Sequence, residues 1–229
     1  MIAVLTDPRR PQHLAATLAG IDSSAASRAR VVVVDGAAAP DLPPGWRAEL
    51  APKPPRTRPA ENKWATWRAF ELAAAAGEDL LFFEDDVAGC PGAAAYAEEV
   101  RVPTDCALLM LYAPWGDGAF PPRIWRYHAS QFSFCQALKI PLPTCQKLAA
   151  ARREMERLEE GGSDECIRAI GGDLDWLVGM HVPGLYQHVG MKSIVSGDRD
   201  LGGHRTSRCW LTDQPASDLY HPALRGTWR

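Results

Sequence analysis

The chain has 229 residues, a formal net charge of −3 and a pI of about 6.1. This length is enough for one sizeable α/β domain with its own core, and the slightly acidic charge argues against nucleic-acid binding as the main role. No apolar run approaches the ~20 residues of a transmembrane helix. Because residues 1–6 have the pattern of a core strand and not of a signal peptide, we expect a cytoplasmic protein.

The first elements are predicted in the order strand, helix, strand. Residues 2–5 form a short apolar strand, and Pro11 begins a helix that continues to Leu18. Residues 31–34 are four valines, and such an unbroken apolar run is typical of a parallel strand covered on both faces. This order opens a nucleotide-binding α/β fold.

The next segment leads to a cluster of acids. Residues 37–59 are rich in proline and basic residues, which predicts a long loop with one edge strand at 47–50. A helix is predicted over residues 61–76 and ends at Gly77. The apolar run 80–83 follows at once and ends in three acids, Glu84, Asp85 and Asp86.

Three acids at the end of a buried strand indicate a cation site. Such a cluster is costly unless a cation or a proton neutralises it, and closely spaced carboxylates suit Mg²⁺ or Mn²⁺. Ligands bind at the carboxyl ends of strands in open α/β sheets. The alternative is a solvated turn or a helix start. Haloacid-type phosphatases and receiver domains also use strand-end aspartates, but the ending Thr6-Asp7-Pro8 of the first strand fits them poorly.

The second half predicts further strands at 106–111 and within 130–139, separated by a loop at 115–122. Trp125, Tyr127 and Phe132 lie in this part, where aromatic rings stack on sugars or simply pack the core.

Two helices are expected next. Thr144 is placed to cap a helix that runs to about Glu160, and Ser163 has the pattern of a fresh helix start. Residues 173–177 are placed near the start of one more short helix. The six cysteines are scattered without C-x-x-C spacing, which indicates buried free thiols.

Two more signals lie in this half. His188 sits in a short apolar run just before Gly190, where the backbone can approach a ligand closely, so a ligand role and plain packing stay open. Asp173 and Asp175 do not share a helix face, so one can cap a helix while the other points into a cleft. Their alternative role is that both simply begin a helix.

Three motifs, taken in order, are shared with a known family. They are Glu84-Asp85-Asp86, Asp175-Trp176-Leu177 and Pro183-x-Leu185-x-Gln187-His188-Val189-Gly190-x-x-Ser193. The chain thereby resembles glycosyltransferases of the GT-A fold, and among them the inverting N-acetylglucosaminyltransferase IV group with its bacterial and phage relatives. The opening Thr6…Arg10…Leu14…Thr17-Leu18 is also similar to that family. The resemblance covers roughly residues 1–210 and implies a mixed, mainly parallel sheet flanked by helices.

The resemblance implies roles for individual residues. Asp86 would bind the Mn²⁺ or Mg²⁺ ion that bridges the donor diphosphate, and His188 would be a second metal ligand. Asp85 would help at the ribose or the ion, and Asp175 would be the general base. Less specific matches place further residues around the donor nucleotide: Lys63, Thr6, Arg10 and Asp35.

The implied activity is transfer of a sugar from a nucleotide-sugar donor, expected to be a UDP-sugar, to a hydroxyl acceptor with inversion. One GT-A domain over 1–229 is expected, with a nucleotide-sugar half (1–110), an acceptor half (111–200) and a tail (201–229). Two alternatives stay open. A sugar nucleotidyltransferase would normally have a glycine-rich basic loop after its first strand, which residues 6–10 lack. The other is a non-catalytic carbohydrate-binding or nucleotide-binding protein on the same fold.

Overall fold

The computed structural model describes residues 1–7, 11–22, 28–34, 38–50, 58–113, 123–133, 135–158 and 162–189. These residues form an α/β structure in which one large sheet lies between two layers of helices. The strands are β1 (Ile2–Thr6), β2 (Arg30–Val34), β3 (Trp46–Leu50), β4 (Leu80–Glu84), β5 (Val87–Gly89), β6 (Cys106–Met110), β7 (Arg123–His128), β8 (Ala137–Ile140), β9 (Leu177–Val182) and β10 (Tyr186–His188). The helices are α1 (Pro11–Asp22), α2 (Arg58–Ala76), α3 (Ala93–Glu99), α4 (Leu142–Ala150), α5 (Arg152–Arg157) and α6 (Ser163–Asp173).

The large sheet has eight strands in the order β3-β2-β1-β4-β8-β6-β9-β7. β8 is antiparallel to both β4 and β6, so those two strands point the same way. β1, β2 and β3 are parallel to β4, and β9 is parallel to β6. Six strands therefore end at one edge, which we call the carboxyl edge, and begin at the other, the amino edge. A separate two-stranded sheet pairs β10 with β5.

Successive side chains along the central strands point to opposite faces of the sheet, so the core consists of one hydrophobic cluster on each face. In β1, Ala3 and Leu5 pack in the cluster that contains residues of α2, α4 and α6, whereas Ile2 and Val4 pack in the cluster that contains residues of α1 and α3. Both faces are covered, which explains why β1 and β2 have unbroken apolar sequences.

The mixed, mainly parallel sheet with flanking helices confirms the predicted fold class. The first two strands, the edge strand near residues 47–50, the long helix before the acids and the acid-tipped strand all form as predicted. Gly77 ends α2 in the left-handed conformation, with φ 70. The aromatic residues Tyr127 and Phe132 pack in or against the core.

Two predicted helix boundaries are wrong. α4 begins at Leu142, two residues before Thr144, because the Asp79 Oδ1 atom from the adjacent turn accepts the Leu142 N–H at 2.8 Å and supplies the cap. Thr144 lies inside the helix, where its hydroxyl donates to the carbonyl oxygen of Ala107 at 2.7 Å. The helical segment is also interrupted at Ala151, which separates α4 from α5.

The predicted helix start at residues 173–177 is a helix end. Asp173 is the last residue of α6, and Asp175 has φ 54, the left-handed conformation that ends helices. The Trp176 N–H donates to the carbonyl of Gly171 at 2.8 Å and the Asp175 N–H donates to Gly172 at 3.2 Å, which together form a Schellman motif. A short aspartate side chain tolerates this conformation better than most residues do.

Five cysteines lie in the described part of the chain, and all five are buried free thiols as predicted: Cys90, Cys106, Cys135, Cys145 and Cys166. Cys209 and the tail 201–229 fall outside the described residues. Among the helices that the structure describes, none has the length and apolar character needed to span a bilayer.

Candidate active site

Three side chains able to ligate a metal, Glu84, Asp86 and His188, meet at the carboxyl edge of the sheet, and we call this group the metal cluster. Glu84 is the last residue of β4, Asp86 lies in the turn that follows it, and His188 is the last residue of β10. One ligand atom from each lies within 4.8 Å of the others. The His188 Nε2 atom is 2.9 Å from Asp86 Oδ2, although these residues are 102 positions apart in the sequence.

Strand pairing explains this meeting. β10 runs antiparallel to β5, and His188 lies opposite Val87 in the register. The Val189 N–H then donates to the carbonyl oxygen of Asp86 at 2.8 Å, which continues the pairing into the acidic turn. The small sheet thus brings a late histidine against an early carboxylate.

Two threonines hold the acidic turn in place. The Thr17 hydroxyl, on α1, lies 2.8 Å from the carbonyl oxygen of Asp85 and 2.9 Å from that of Val87, so its proton is shared between them. The Thr6 hydroxyl, at the end of β1, donates to Asp85 Oδ2 at 2.5 Å. The backbone of the turn and the side chain of Asp85 are therefore fixed by two different elements.

Asp85 has a strongly shifted acidity. The pKa of its carboxyl group is raised from 3.8 to about 7, mainly by burial and also by the adjacent Asp86 charge, against the lowering effect of the Thr6 hydrogen bond. A carboxyl group with such a pKa exchanges a proton near neutral pH, which is common at functional sites.

The Asp86–His188 pair has spare ligand capacity. Asp86 Oδ1 and His188 Nδ1 are buried and accept or donate no hydrogen bond among the described residues. A buried carboxylate oxygen without a partner is costly. Two carboxylates and an imidazole within 4.8 Å fit a divalent cation such as Mn²⁺ or Mg²⁺, because a cation satisfies the carboxylates and offsets their mutual repulsion.

A polar residue that sequence reasoning missed lies beside this cluster. Gln136, just before β8, donates from its side-chain Nε2 to Glu84 Oε2 at 3.3 Å. The backbone carbonyl oxygen of Gln136 accepts the Glu84 N–H at 2.9 Å. The available signal was a glutamine directly before an apolar strand whose neighbour, β4, ends in acids.

The start of α6 contributes a second acidic group that was also missed as a functional candidate. The Ser163 N–H donates to Asn62 Oδ1, in the first half of α2, at 3.3 Å. Because α2 follows β3 and α6 precedes β9, both helices begin on the side of the carboxyl edge. The Glu165 side chain accepts the Gly162 N–H and caps the helix, and Asp164 lies beside it in the first turn.

The buried thiol of Cys135 is affected by the charges of both Asp164 and Glu84, a residue of the metal cluster. Burial raises the pKa of its thiol well above the usual value, and the nearby charges of Asp164 and Glu84 raise it further. Since both carboxylates act on one buried thiol, Asp164 and Glu84 both lie within electrostatic range of Cys135.

Asp175 is not brought to this cluster. It directly precedes β9 and follows the end of α6, so it lies at the amino edge, opposite to the carboxylates. The Ser130 N–H donates to His128 Nδ1, so His128 Nε2 carries the proton and donates to Asp175 Oδ1 at 3.0 Å. The Asp175 side chain is 95% exposed. This placement does not support the predicted role of Asp175 as the general base, and that role stays a prediction.

The remaining sequence-predicted residues have separate locations. Lys63 is buried in α2, and its ammonium group donates to the carbonyl oxygen of Leu158, which follows α5. This contact is one within the protein, and a donor-binding role for Lys63 stays a prediction. Arg10, Asp35 and Ser193 fall outside the described residues.

Comparisons with known proteins bear on the fold. No protein-family model matches the chain, and no curated protein matches it. The galactosyltransferase LgtC, solved in complex with donor and acceptor sugar analogues, superposes with a TM-score of 0.51 at 11% sequence identity, covering 89% of this chain and 92% of that chain. The apo form of the glycosyltransferase GlyE of Streptococcus pneumoniae TIGR4 gives a TM-score of 0.45 at 12% identity over 77% of this chain, and the match spans 44% of GlyE.

The likeness to LgtC extends over nearly the whole of both chains, whereas the identity is too low to carry more than architecture. The N-acetylglucosaminyltransferase IV group is not singled out, and that finer resemblance stays a prediction. The chain has the GT-A fold of glycosyltransferases.

Proposed function

We propose that this protein is a metal-dependent glycosyltransferase. It transfers a sugar from a nucleotide-sugar, by its sequence resemblance a UDP-sugar, to a hydroxyl acceptor with inversion at the anomeric carbon. The observation that carries the proposal is the cluster of Glu84, Asp86 and His188 at the carboxyl edge of a GT-A sheet. Ligands of open α/β folds bind at this edge.

The residues at the carboxyl edge have different roles in donor binding. Asp86, His188 and Glu84 would together hold a divalent cation. Such an ion, when bound, stabilises the charge that builds on the leaving diphosphate. Thr6 and Asp85, which are hydrogen-bonded to each other at the ends of neighbouring strands, would contact the donor on its nucleotide side, in keeping with their predicted roles.

A base is needed to take the proton of the acceptor hydroxyl. We place it at Asp164, because that residue lies in the first turn of α6, on the side of the carboxyl edge, and its charge acts on the same buried thiol, Cys135, as the charge of Glu84. As the acceptor oxygen forms its bond to the anomeric carbon, the bond to the diphosphate oxygen breaks and the proton passes to Asp164. One displacement of this kind inverts the configuration.

A nucleotide titration tests the proposal. Thermal unfolding and calorimetry with UDP, GDP and CMP, each with and without Mn²⁺, are carried out on wild type and on Asp86→Ala. We expect a Mn²⁺-dependent rise in melting temperature with one nucleotide, UDP by the resemblance, and its loss in Asp86→Ala, because a ligand that binds only the folded state stabilises it. No shift with any nucleotide would contradict the donor site.

Turnover separates the alternatives. Release of UDP from UDP-sugars in the presence of acceptor sugars supports a transferase. Nucleotide binding without turnover supports a non-catalytic binding protein, and release of pyrophosphate from a nucleoside triphosphate with a sugar phosphate supports a nucleotidyltransferase.

A further inference from the structure

Gln136 has a polar atom that the metal cluster does not use. The residue is only 7% exposed. Its amide nitrogen donates to Glu84, whereas its amide oxygen, Oε1, is buried and accepts no hydrogen bond among the described residues. Half of its carboxamide is therefore anchored and the other half is unsatisfied.

The anchoring fixes which way the amide points. A carboxylate only accepts hydrogen bonds, so the nitrogen faces Glu84 and the oxygen faces away from it. The backbone of Gln136 is also bonded to Glu84, since its carbonyl oxygen accepts the Glu84 N–H at 2.9 Å. The direction of Oε1 is thus set by two contacts to one residue of the metal cluster.

Gln136 lies beside the part of the proposed reaction centre that would hold the donor diphosphate. Its amide nitrogen donates to Glu84, and the charges of both Glu84 and Asp164 act on its chain neighbour Cys135. If the diphosphate binds at the metal cluster and the acceptor approaches the base at α6, the transferred sugar occupies the space between them. Gln136 borders that space.

The chemistry of an amide oxygen defines what it binds. It accepts hydrogen bonds and donates none, and leaving a buried acceptor unpaired costs about 1–3 kcal/mol. The group that satisfies it must therefore present an O–H or N–H donor, as sugar hydroxyls and N-acetyl groups do.

We propose that Gln136 is a specificity-determining residue whose amide oxygen accepts a hydrogen bond from a hydroxyl or amide N–H of the sugar being transferred. This inference rests on the proposed function and names a contact of the donor sugar, separate from the metal, the nucleotide and the base.

Calorimetric titration with matched ligands tests the inference. Wild type and Gln136→Met are titrated in saturating Mn²⁺ with UDP, UDP-glucose, UDP-galactose and UDP-N-acetylglucosamine. Methionine keeps the length and burial of the side chain but removes its polar atoms. We expect Gln136→Met to weaken binding of the preferred UDP-sugar about tenfold more than binding of UDP, because the lost hydrogen bond to Glu84 affects both ligands equally and only the sugar also loses a partner of its own.

Two further variants control for folding and for an indirect effect. Gln136→Asn keeps an amide that is too short to reach both Glu84 and the sugar, so it should show the same selective loss if Gln136→Met does not fold. Gln187→Met removes an equally buried amide that donates to the carbonyl of His188, and should change UDP and UDP-sugar binding in parallel.

The outcomes are distinct. An equal loss of UDP and UDP-sugar affinity in the Gln136 variants would show that Gln136 acts only through Glu84, and no loss of either would show that a water molecule alone satisfies the oxygen. Both results overturn the inference. Wild type that binds none of the four ligands overturns the proposed function itself.

Discussion

The unpaired atoms of Asp86 and His188 define the chemistry of the site at the level of single residues. Each side chain uses one atom to contact the other, at 2.9 Å, and keeps one buried atom without a partner. Buried carboxylates in close proximity repel each other, so the arrangement is most stable when a cation joins them. Cation affinity should therefore depend on these two side chains before any nucleotide is added.

Asp86→Asn should weaken Mn²⁺ binding at least about 100-fold, since even residues that only support a ligand cost 10–100-fold when removed. The substitution keeps the shape of the side chain and removes its charge. Electron paramagnetic resonance of free Mn²⁺ in a titration measures the effect.

Asp105→Asn is a suitable control for the Asp86 prediction. Asp105 pairs with Arg126 at 3.0 Å, close to the amino edge where β6 begins, and its side chain is 49% exposed. It should bind Mn²⁺ like wild type. Equal Mn²⁺ binding by both variants and wild type would mean that the cluster holds no cation.

Among the secondary-structure elements, α1 and β10 shape the acidic turn between β4 and β5. Three consecutive carbonyl groups of the turn, those of Asp85, Asp86 and Val87, are bonded to Thr17 or to the Val189 N–H. The turn therefore has little freedom to re-aim the Asp86 carboxylate. The Thr17 hydroxyl, on α1, bonds two backbone carbonyl groups of the turn and not the side chain of a metal-cluster residue. Thr17 therefore acts by positioning the turn.

Thr17→Val should lower both stability and Mn²⁺ affinity, whereas Thr17→Ser should restore them. Valine matches the shape of threonine but leaves two carbonyls without their shared donor, a cost of about 1–3 kcal/mol. Chemical denaturation and a Mn²⁺ titration measure the two effects.

Thr144→Val is the matched control for Thr17. This threonine is also buried and donates to one carbonyl, that of Ala107, near the amino edge. Its loss should lower stability by a comparable amount and leave Mn²⁺ affinity unchanged. A loss of Mn²⁺ affinity in both variants would mean that destabilisation alone is responsible.

The direction of α6 determines which of the two aspartates, Asp164 or Asp175, lies on the side of the metal cluster. The helix runs from the carboxyl edge, where Asp164 lies in its first turn, to the amino edge, where Asp173 is its last residue and Asp175 follows. At 1.5 Å per residue the Cα atoms of Asp164 and Asp173 are about 14 Å apart along the helix axis, and Asp175 lies beyond that end. A general base must lie within hydrogen-bond reach of the proton it takes, so only one of them can serve the metal cluster.

Asp164→Asn should reduce sugar transfer by roughly 10²–10⁴-fold while leaving UDP binding intact, because it removes the proton acceptor and not the donor site. Asp175→Asn is the matched substitution at the other end of α6, and asparagine keeps both the left-handed backbone and a hydrogen bond to His128. It should retain most of the transfer rate. The reverse pattern would establish Asp175 as the base, as the sequence resemblance implies.

The burial of Asp85 makes the folding stability of the whole molecule depend on pH. The pKa of this carboxyl group is raised from 3.8 to about 7 in the folded protein, mainly by burial. Between about pH 4 and pH 7 the folded state holds a proton that the unfolded state has released. The stability associated with this proton is complete below about pH 4 and is lost as the pH rises through 7.

Asp85→Asn should therefore remove part of the pH dependence of stability. From pH 5 to pH 8 without metal, the free energy of unfolding of wild type should fall relative to that of Asp85→Asn, by roughly 3 kcal/mol at most. Urea denaturation of both proteins at several pH values measures the difference. Parallel pH profiles would show that Asp85 is ionised throughout this range.

The sequence by itself determined those features that leave a local pattern. Runs of apolar residues marked β1, β2 and β4, helical spacing and Gly77 marked α2, and three consecutive acids marked the candidate cation site. The motif order also indicated the GT-A fold. Each of these depends on residues close together in the chain, whose burial or charge is visible in the sequence.

Only the tertiary structure decided which of these residues meet. The contact between Asp86 and His188 depends on β10 pairing with β5 across 102 residues, and the exclusion of Asp175 from this cluster depends on the direction of β9 in the sheet. β7 and β9 had no recognised sequence pattern, and the roles that we propose for Gln136 and Asp164 rest on their places beside β8 and at the start of α6. Strand order and direction are set by non-local packing, which no short segment of sequence records.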